Sequence, residues 1–184
     1  MNATTHPATA NPTAARPATR ASGATGSCPF AERFGRRLPR GFADEAAGLS
    51  WRTLVDTYAP SSDHFHLADF TRRPLGRGIT AYEAILATRT AADAPGEFTA
   101  HRLTTESCGD LTAMSDMLSQ VGAPAEIERF HQYEGPGFDG AGSWCTILRA
   151  TNGRRETWAL GFGRTAPEAS IAALLSAATR LHLR

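Results

Sequence analysis

Thr157-Trp158-Ala159-Leu160-Gly161-Phe162-Gly163, followed by Glu168-Ala169-Ser170-Ile171-Ala172-Ala173-Leu174-Leu175-Ser176-Ala177-Ala178, sets the fold of this chain. The first run is extended, rich in aromatic and apolar residues, and ends on glycine, as a strand does. The second predicts an amphipathic helix from about Ala166 to Leu181, with Ile171, Leu174, Leu175, Ala178 and Leu181 on one face. Thr165 and Glu168 stand at capping-box spacing, and Pro167 falls in the first turn, where a missing N–H costs nothing.

Two further strands precede this pair: Ile127 to Tyr133, and Trp144 to Leu148 after the Gly/Pro-rich loop from Gly135 to Gly142, with a turn at Asn152-Gly153 before the third. The same plan is present once more upstream. Strand-like segments at about 64–71, 79–90 and 97–106 are separated by Pro74, Gly76, Gly78, Pro95 and Gly96. A helix then carries Leu111, Met114, Leu118 and Val121, and Gly122 and Pro124 end it. The segment from Ile79 to Thr90 has Ala, Glu and Leu that favour a helix locally, and its place in the repeat makes it a strand. The fold class is therefore α+β, with duplicated βββα units at 61–184, a helix on one face of each sheet, and faces left over for an isologous dimer contact.

Ahead of the repeat, 29–60 predicts a short helical, linker-like region. Phe30, Phe34 and Leu38 are spaced by four, and Ser50 caps a helix whose Trp51, Leu54, Val55 and Tyr58 share a face before Pro60 closes it. Residues 1–28 are mostly Ala, Thr, Pro, Asn, Gly and Ser, too poor in apolar surface to offset chain entropy, and are expected to be a disordered tail.

With 19 Lys+Arg against 18 Asp+Glu, no net field draws the chain to nucleic acid or an anionic membrane. No apolar run reaches the roughly 18–20 residues that cross a bilayer, and the N-terminus lacks the apolar core of a secretory leader. Cys28, Cys108 and Cys145 have no C-x-x-C spacing and read as reduced thiols, so the expected compartment is the cytoplasm.

Three features bear on chemistry. His64-Phe65-His66 places two imidazoles on one side of a strand, with Asp63 and Asp69 as the nearby carboxylates, short of a tetrahedral metal set. Cys108 precedes a helix start, a placement that makes it the best nucleophile candidate of the chain, yet no His-Asp pair orients it. The helix N-termini at Ser107-Cys108-Gly109-Asp110-Leu111 and Gly163-Arg164-Thr165-Ala166 offer amides to a carboxylate, beside Ile127, Phe130 and Phe162 for an aliphatic group. No catalytic residue, metal or cofactor is expected.

The repeated plan and the residues from Cys108 onward resemble the C-terminal regulatory domain of the α-isopropylmalate synthase and citramalate synthase family; Arg36-Arg37-Leu38 with Phe42 is similar to its helical linker. The resemblance implies a non-catalytic allosteric and dimerisation domain of leucine biosynthesis, found without the catalytic barrel, which takes about 250 residues. It implies a homodimer binding leucine or a similar small amino acid, with a separate barrel-only synthase as a further partner. By the family's pattern the effector-lining positions fall on Cys108, Leu111, Thr112, Ile127, Phe130, Glu134, Ala141, Ser143 and Phe162. Asp110 and Glu134 depart from that pattern: the first would repel a ligand carboxylate, and burying the second would cost several kcal/mol unless it were paired. The alternatives are a dimerisation scaffold with a lost pocket and a small Cys/His enzyme.

Overall fold

Strand and helix signals occur in the order that the sequence predicts. The computed structural model describes residues 28–60, 64–89, 97–136 and 142–182, with only the backbone of Pro136, Gly142 and Ser143. It runs α1 (Pro29–Phe34), α2 (Phe42–Glu45), α3 (Trp51–Tyr58), β1 (Phe65–Gly76), β2 (Ile79–Thr88), β3 (Thr99–Ser107), α4 (Asp110–Gln120), β4 (Glu126–Pro136), β5 (Gly142–Thr151), β6 (Glu156–Gly163) and α5 (Ala166–His182). The strands form two antiparallel sheets, β1-β2-β3 (sheet A) and β4-β5-β6 (sheet B). The expected tail lies outside the described residues except for Cys28, the N-cap of α1.

One expected turn moves. Pro74 and Gly76 belong to β1, and Gly76 pairs with Ile79, so the hairpin turn is Arg77-Gly78 alone, with φ of 53° and 77°. Two consecutive left-handed residues make the tight turn that matches strand twist. β1 tolerates Pro74 because it is an edge strand.

The two sheets share landmarks. β1 is bulged between Leu67 and Asp69, and β4 between Ile127 and Arg129. Beyond the bulge Phe70 opposes Ala84, which opposes Leu103; Phe130 opposes Leu148, which opposes Ala159. On the same inner faces lie Arg72 in sheet A and Gln132 in sheet B, each two residues past the phenylalanine.

Helices α4 and α5 pack in one core with both inner faces: Tyr82, Leu86 and Leu103 from sheet A, Met114 and Leu118 from α4, Leu148 and Ala159 from sheet B, and Leu174 and Ala178 from α5. Small residues let α5 come very close to sheet B. A Cβ on Gly161 would lie 2.0 Å from the Ala173 amide nitrogen, and one on Gly163 would lie 2.5 Å from that of Ala169. Only glycine fits there, and α5 is buried nearly all round.

The helical segment expected at 29–60 packs across the outer face of sheet B. Phe30, Phe42, Leu54 and Tyr58 form a second core with Cys145, Ile147, Trp158 and Leu160. Phe42 stacks on Trp158 at 5.4 Å and meets Tyr58 edge-on at 4.7 Å. Ser50 caps α3 by accepting the Thr53 amide at 3.1 Å. Arg180 of α5 ties the layers together: it donates to Thr157 Oγ1 at 2.8 Å and to the Thr57 carbonyl, and lies 4.4 Å over the Tyr58 ring. The outer face of sheet A differs: Thr71, Arg73, Glu83, Arg102, Thr104 and Glu106 are all exposed. Among the described residues no helix is long and apolar enough to cross a membrane.

Candidate functional site

The inner faces of the two edge strands, β1 and β4, are not filled by helix, and a groove opens beside each. The first groove, of about 710 Å³, lies between β1 and α5; Leu67, Phe70, Ile171 and Leu175 line it, with Arg72 and Asp110 among its polar lining. The second, of about 340 Å³, lies where β4 meets the start of α4 and includes Gly109, Leu111, Thr112, Gln132 and Ser170. Asp110 and Pro167 border both, so the N-termini of α4 and α5 meet between them.

The grooves are built alike. In each, a polar side chain from the edge strand reaches the first residue of the helix that follows its sheet in the chain. Arg72 donates to Asp110 Oδ2 at 3.0 Å, and Gln132 Nε2 lies 2.9 Å from the Ala166 carbonyl. Beyond this they diverge. The Gln132 amide nitrogen also lies 3.0 Å from Thr146 Oγ1 and 2.9 Å from Ser170 Oγ, so the polar groups of the second groove satisfy one another. In the first, Arg72 and Asp110 pair at the rim, and Glu168, which accepts the Arg164 amide, is a second carboxylate of the lining. Burial, and then the neighbouring Asp110, raise the Tyr82 phenol above its ordinary value behind this pair.

The helix termini differ as well. At α5 the predicted cap is present: Thr165 Oγ1 accepts the Glu168 amide at 3.4 Å, and Glu168 Oε2 accepts the Arg164 amide at 2.9 Å. Pro167 brings no N–H, so little of that terminus is left for an anion. At α4 the N-cap is Gly109, without a side-chain cap. Asp110 there complements the macrodipole, and Arg72 neutralises it.

Of the sequence-predicted positions, Leu111 and Thr112 line the second groove. Ile127, Phe130 and Glu134 share the inner face of β4 with Gln132; Phe130 is 43% exposed and Glu134 is exposed, so its charge stays in water. Cys108 is exposed in the turn before α4. Phe162 is not brought to the others: it opposes Cys145 on the outer face of sheet B, 5.9 Å from the Trp51 ring and 6.4 Å from that of Phe34. Ala141 lies outside the described residues, and so does the side chain of Ser143.

Other chemistry finds less support. The His64 ring shares a 3.2 Å hydrogen bond with the Arg89 carbonyl, while His66 is exposed. Among the described residues no group of three His, Cys, Asp or Glu is placed to hold a metal ion. Burial pushes the Cys145 thiol far up, away from the reactive thiolate. Sequence reasoning did not single out Arg72 and Gln132; their signal is the common spacing Phe70-x-Arg72 and Phe130-x-Gln132. No model of a known protein family matches this chain, and no curated protein matches it at a significant level.

Proposed function

We propose that this chain is an allosteric and dimerisation domain of the α-isopropylmalate synthase type. It binds leucine or a related small amino acid beside the paired helix N-termini, and is non-catalytic by itself. The observation that carries this is the pair of partly apolar grooves beside the starts of α4 and α5, the first with the Arg72–Asp110 ion pair in its lining. Such a place suits a molecule with a charged head and an aliphatic side chain. Duplication of one βββα unit accounts for the matching bulges and for Phe70 and Phe130 at equal places. The two departures from the family pattern are also accommodated, since Arg72 neutralises Asp110 and Glu134 is exposed. A homodimer in the cytoplasm, acting on a separate synthase of leucine biosynthesis, completes the proposal, and the three free cysteines suit a reducing compartment.

A dimerisation scaffold without an effector is the second reading. The self-satisfied polar groups of the second groove and the self-capped α5 favour it. Calorimetric titration with leucine, isoleucine, valine and 2-oxoisovalerate, with the mass in solution measured alongside, separates the two. Saturable amino-acid binding by a dimer supports the sensor; a dimer giving no heat with any of them supports the scaffold. Acyl transfer from acetyl-CoA to 2-oxoisovalerate by this chain alone, with a divalent metal, would overturn the non-catalytic assignment.

A further inference from the structure

On the reading of the chain as an amino-acid-responsive domain, we infer that the effector sits in the first groove, between β1 and α5, and is an α-amino acid with a large apolar side chain. Of the positions that the family resemblance implies, Leu111 and Thr112 line the second groove. The two grooves are counterparts, so a ligand site built by the fold can develop in either. In this chain they have diverged in size and in polar chemistry. The first has about twice the volume, about 710 Å³ against about 340 Å³; both fall within the range of about 300–1,000 Å³ usual for small-molecule sites, the second at its lower end.

The polar chemistry selects the ligand. Gln132 in the second groove is already engaged by Thr146, Ser170 and the Ala166 carbonyl, and a ligand would have to displace bonds already made. Arg72 is 61% exposed and is held on Asp110 by a single ion pair at the groove's rim, so it can turn to a ligand at little cost. A carboxylic acid alone would meet Arg72 but be repelled by Asp110 and Glu168; an amine alone would meet those carboxylates but be repelled by Arg72. A head group with both charges on one carbon pairs its carboxylate with Arg72 and its ammonium with Asp110. Its side chain then runs along Leu67, Phe70, Ile171 and Leu175.

The test is calorimetric titration of the full chain with leucine and with phenylalanine, each compared with its N-acetyl and its amide derivative. Both amino acids should bind, and each derivative, lacking one charge, should bind at least tenfold more weakly. Ala172→Phe, which fills the first groove, should weaken binding at least tenfold, with the fold checked by circular dichroism. Arg72→Ala, at an exposed position, should weaken it about tenfold whatever the fate of the first variant. Undiminished binding by Ala172→Phe and Arg72→Ala, together with loss in Thr112→Phe, would overturn the assignment to the first groove and leave the amino-acid reading standing. No heat from the unaltered chain with either amino acid would overturn both.

Discussion

Sheet A and sheet B have the same strand order and the same bulge, yet one is covered on a single face and the other on both. Sheet B lies between α5 and the helices of residues 29–58, and its central strand β5 is buried at every position from Cys145 to Leu148. Sheet A leaves its outer face to solvent, and β2 alternates: Tyr82, Ala84 and Leu86 inward, Glu83 outward. The plan of strands sets which residues share a face; the number of layers sets which faces must be apolar. The same contrast extends to the helices. α5 meets β6 through Gly161 and Gly163, whereas the corresponding positions of β3 carry Thr105 and Ser107. Sheet B thus meets its helix at backbone distance, while the larger groove lies between β1 of sheet A and α5.

The largest test removes part of the cover. Phe42 is fully buried between Trp158 and Tyr58, and Phe42→Ala should cost about 3–5 kcal/mol in urea denaturation. Phe70→Ala, at the half-buried counterpart of Phe130 in sheet A, should cost about 1 kcal/mol. Equal losses would mean that the cover adds nothing to sheet B. Next comes the close approach of α5. Gly161→Ala forces a Cβ against backbone that cannot yield, and should cost about 3 kcal/mol, the upper end for overpacking. Thr105→Ala, on the equivalent inner face of β3, should cost under about 1 kcal/mol. A mild Gly161→Ala would show that α5 can move off sheet B.

Burial also makes the two sheets unequal toward alkali. It raises four weakly acidic groups, and three of them, Tyr58, Tyr133 and Cys145, belong to the core under the cover; Tyr82 alone is in sheet A. Their neutral forms are favoured in the folded state. Their contribution is therefore complete below the ordinary values, 9.0 for the thiol and 10.0 for the phenols, and is lost as the pH rises above them. Denaturation midpoints should hold to about pH 9 and then fall. Cys145→Ala with Tyr133→Phe should flatten the fall more than Tyr82→Phe does; the opposite ranking would place the alkaline weakness in sheet A.

The order of strands and helices was legible in the sequence, because it rests on local patterns. Ser50, Thr165 and Glu168 cap the helices as their spacing predicts. β2 was legible only through the repeat: its Ala and Leu content suits a helix, and cross-strand pairing overrides that preference. The cover was not legible as a cover, since three helices of four to eight residues do not reveal which sheet their apolar side chains will meet. The grooves were half legible. Their helix termini follow from the caps, but Arg72 and Gln132 act on residues 38 and 34 positions further along. Phe162 shows the limit of strand parity, which groups it with Trp158 and Leu160 without telling which face they share with the ligand or with the helices.

The smallest expected effect is on the outer face of sheet A. Thr104→Lys adds a charge to an exposed position beside Glu83 on that face, and on a solvated face it should change stability by about 0.5 kcal/mol or less. Measured at several protein concentrations, this variant sharpens the comparison of the two sheets. If its cost stays small and independent of concentration, sheet A has one wet face in solution and any dimer forms elsewhere. If the loss is large and grows as the protein is diluted, a second copy covers in sheet A what the N-terminal helices cover in sheet B, because only an interface between copies couples stability to concentration in that way.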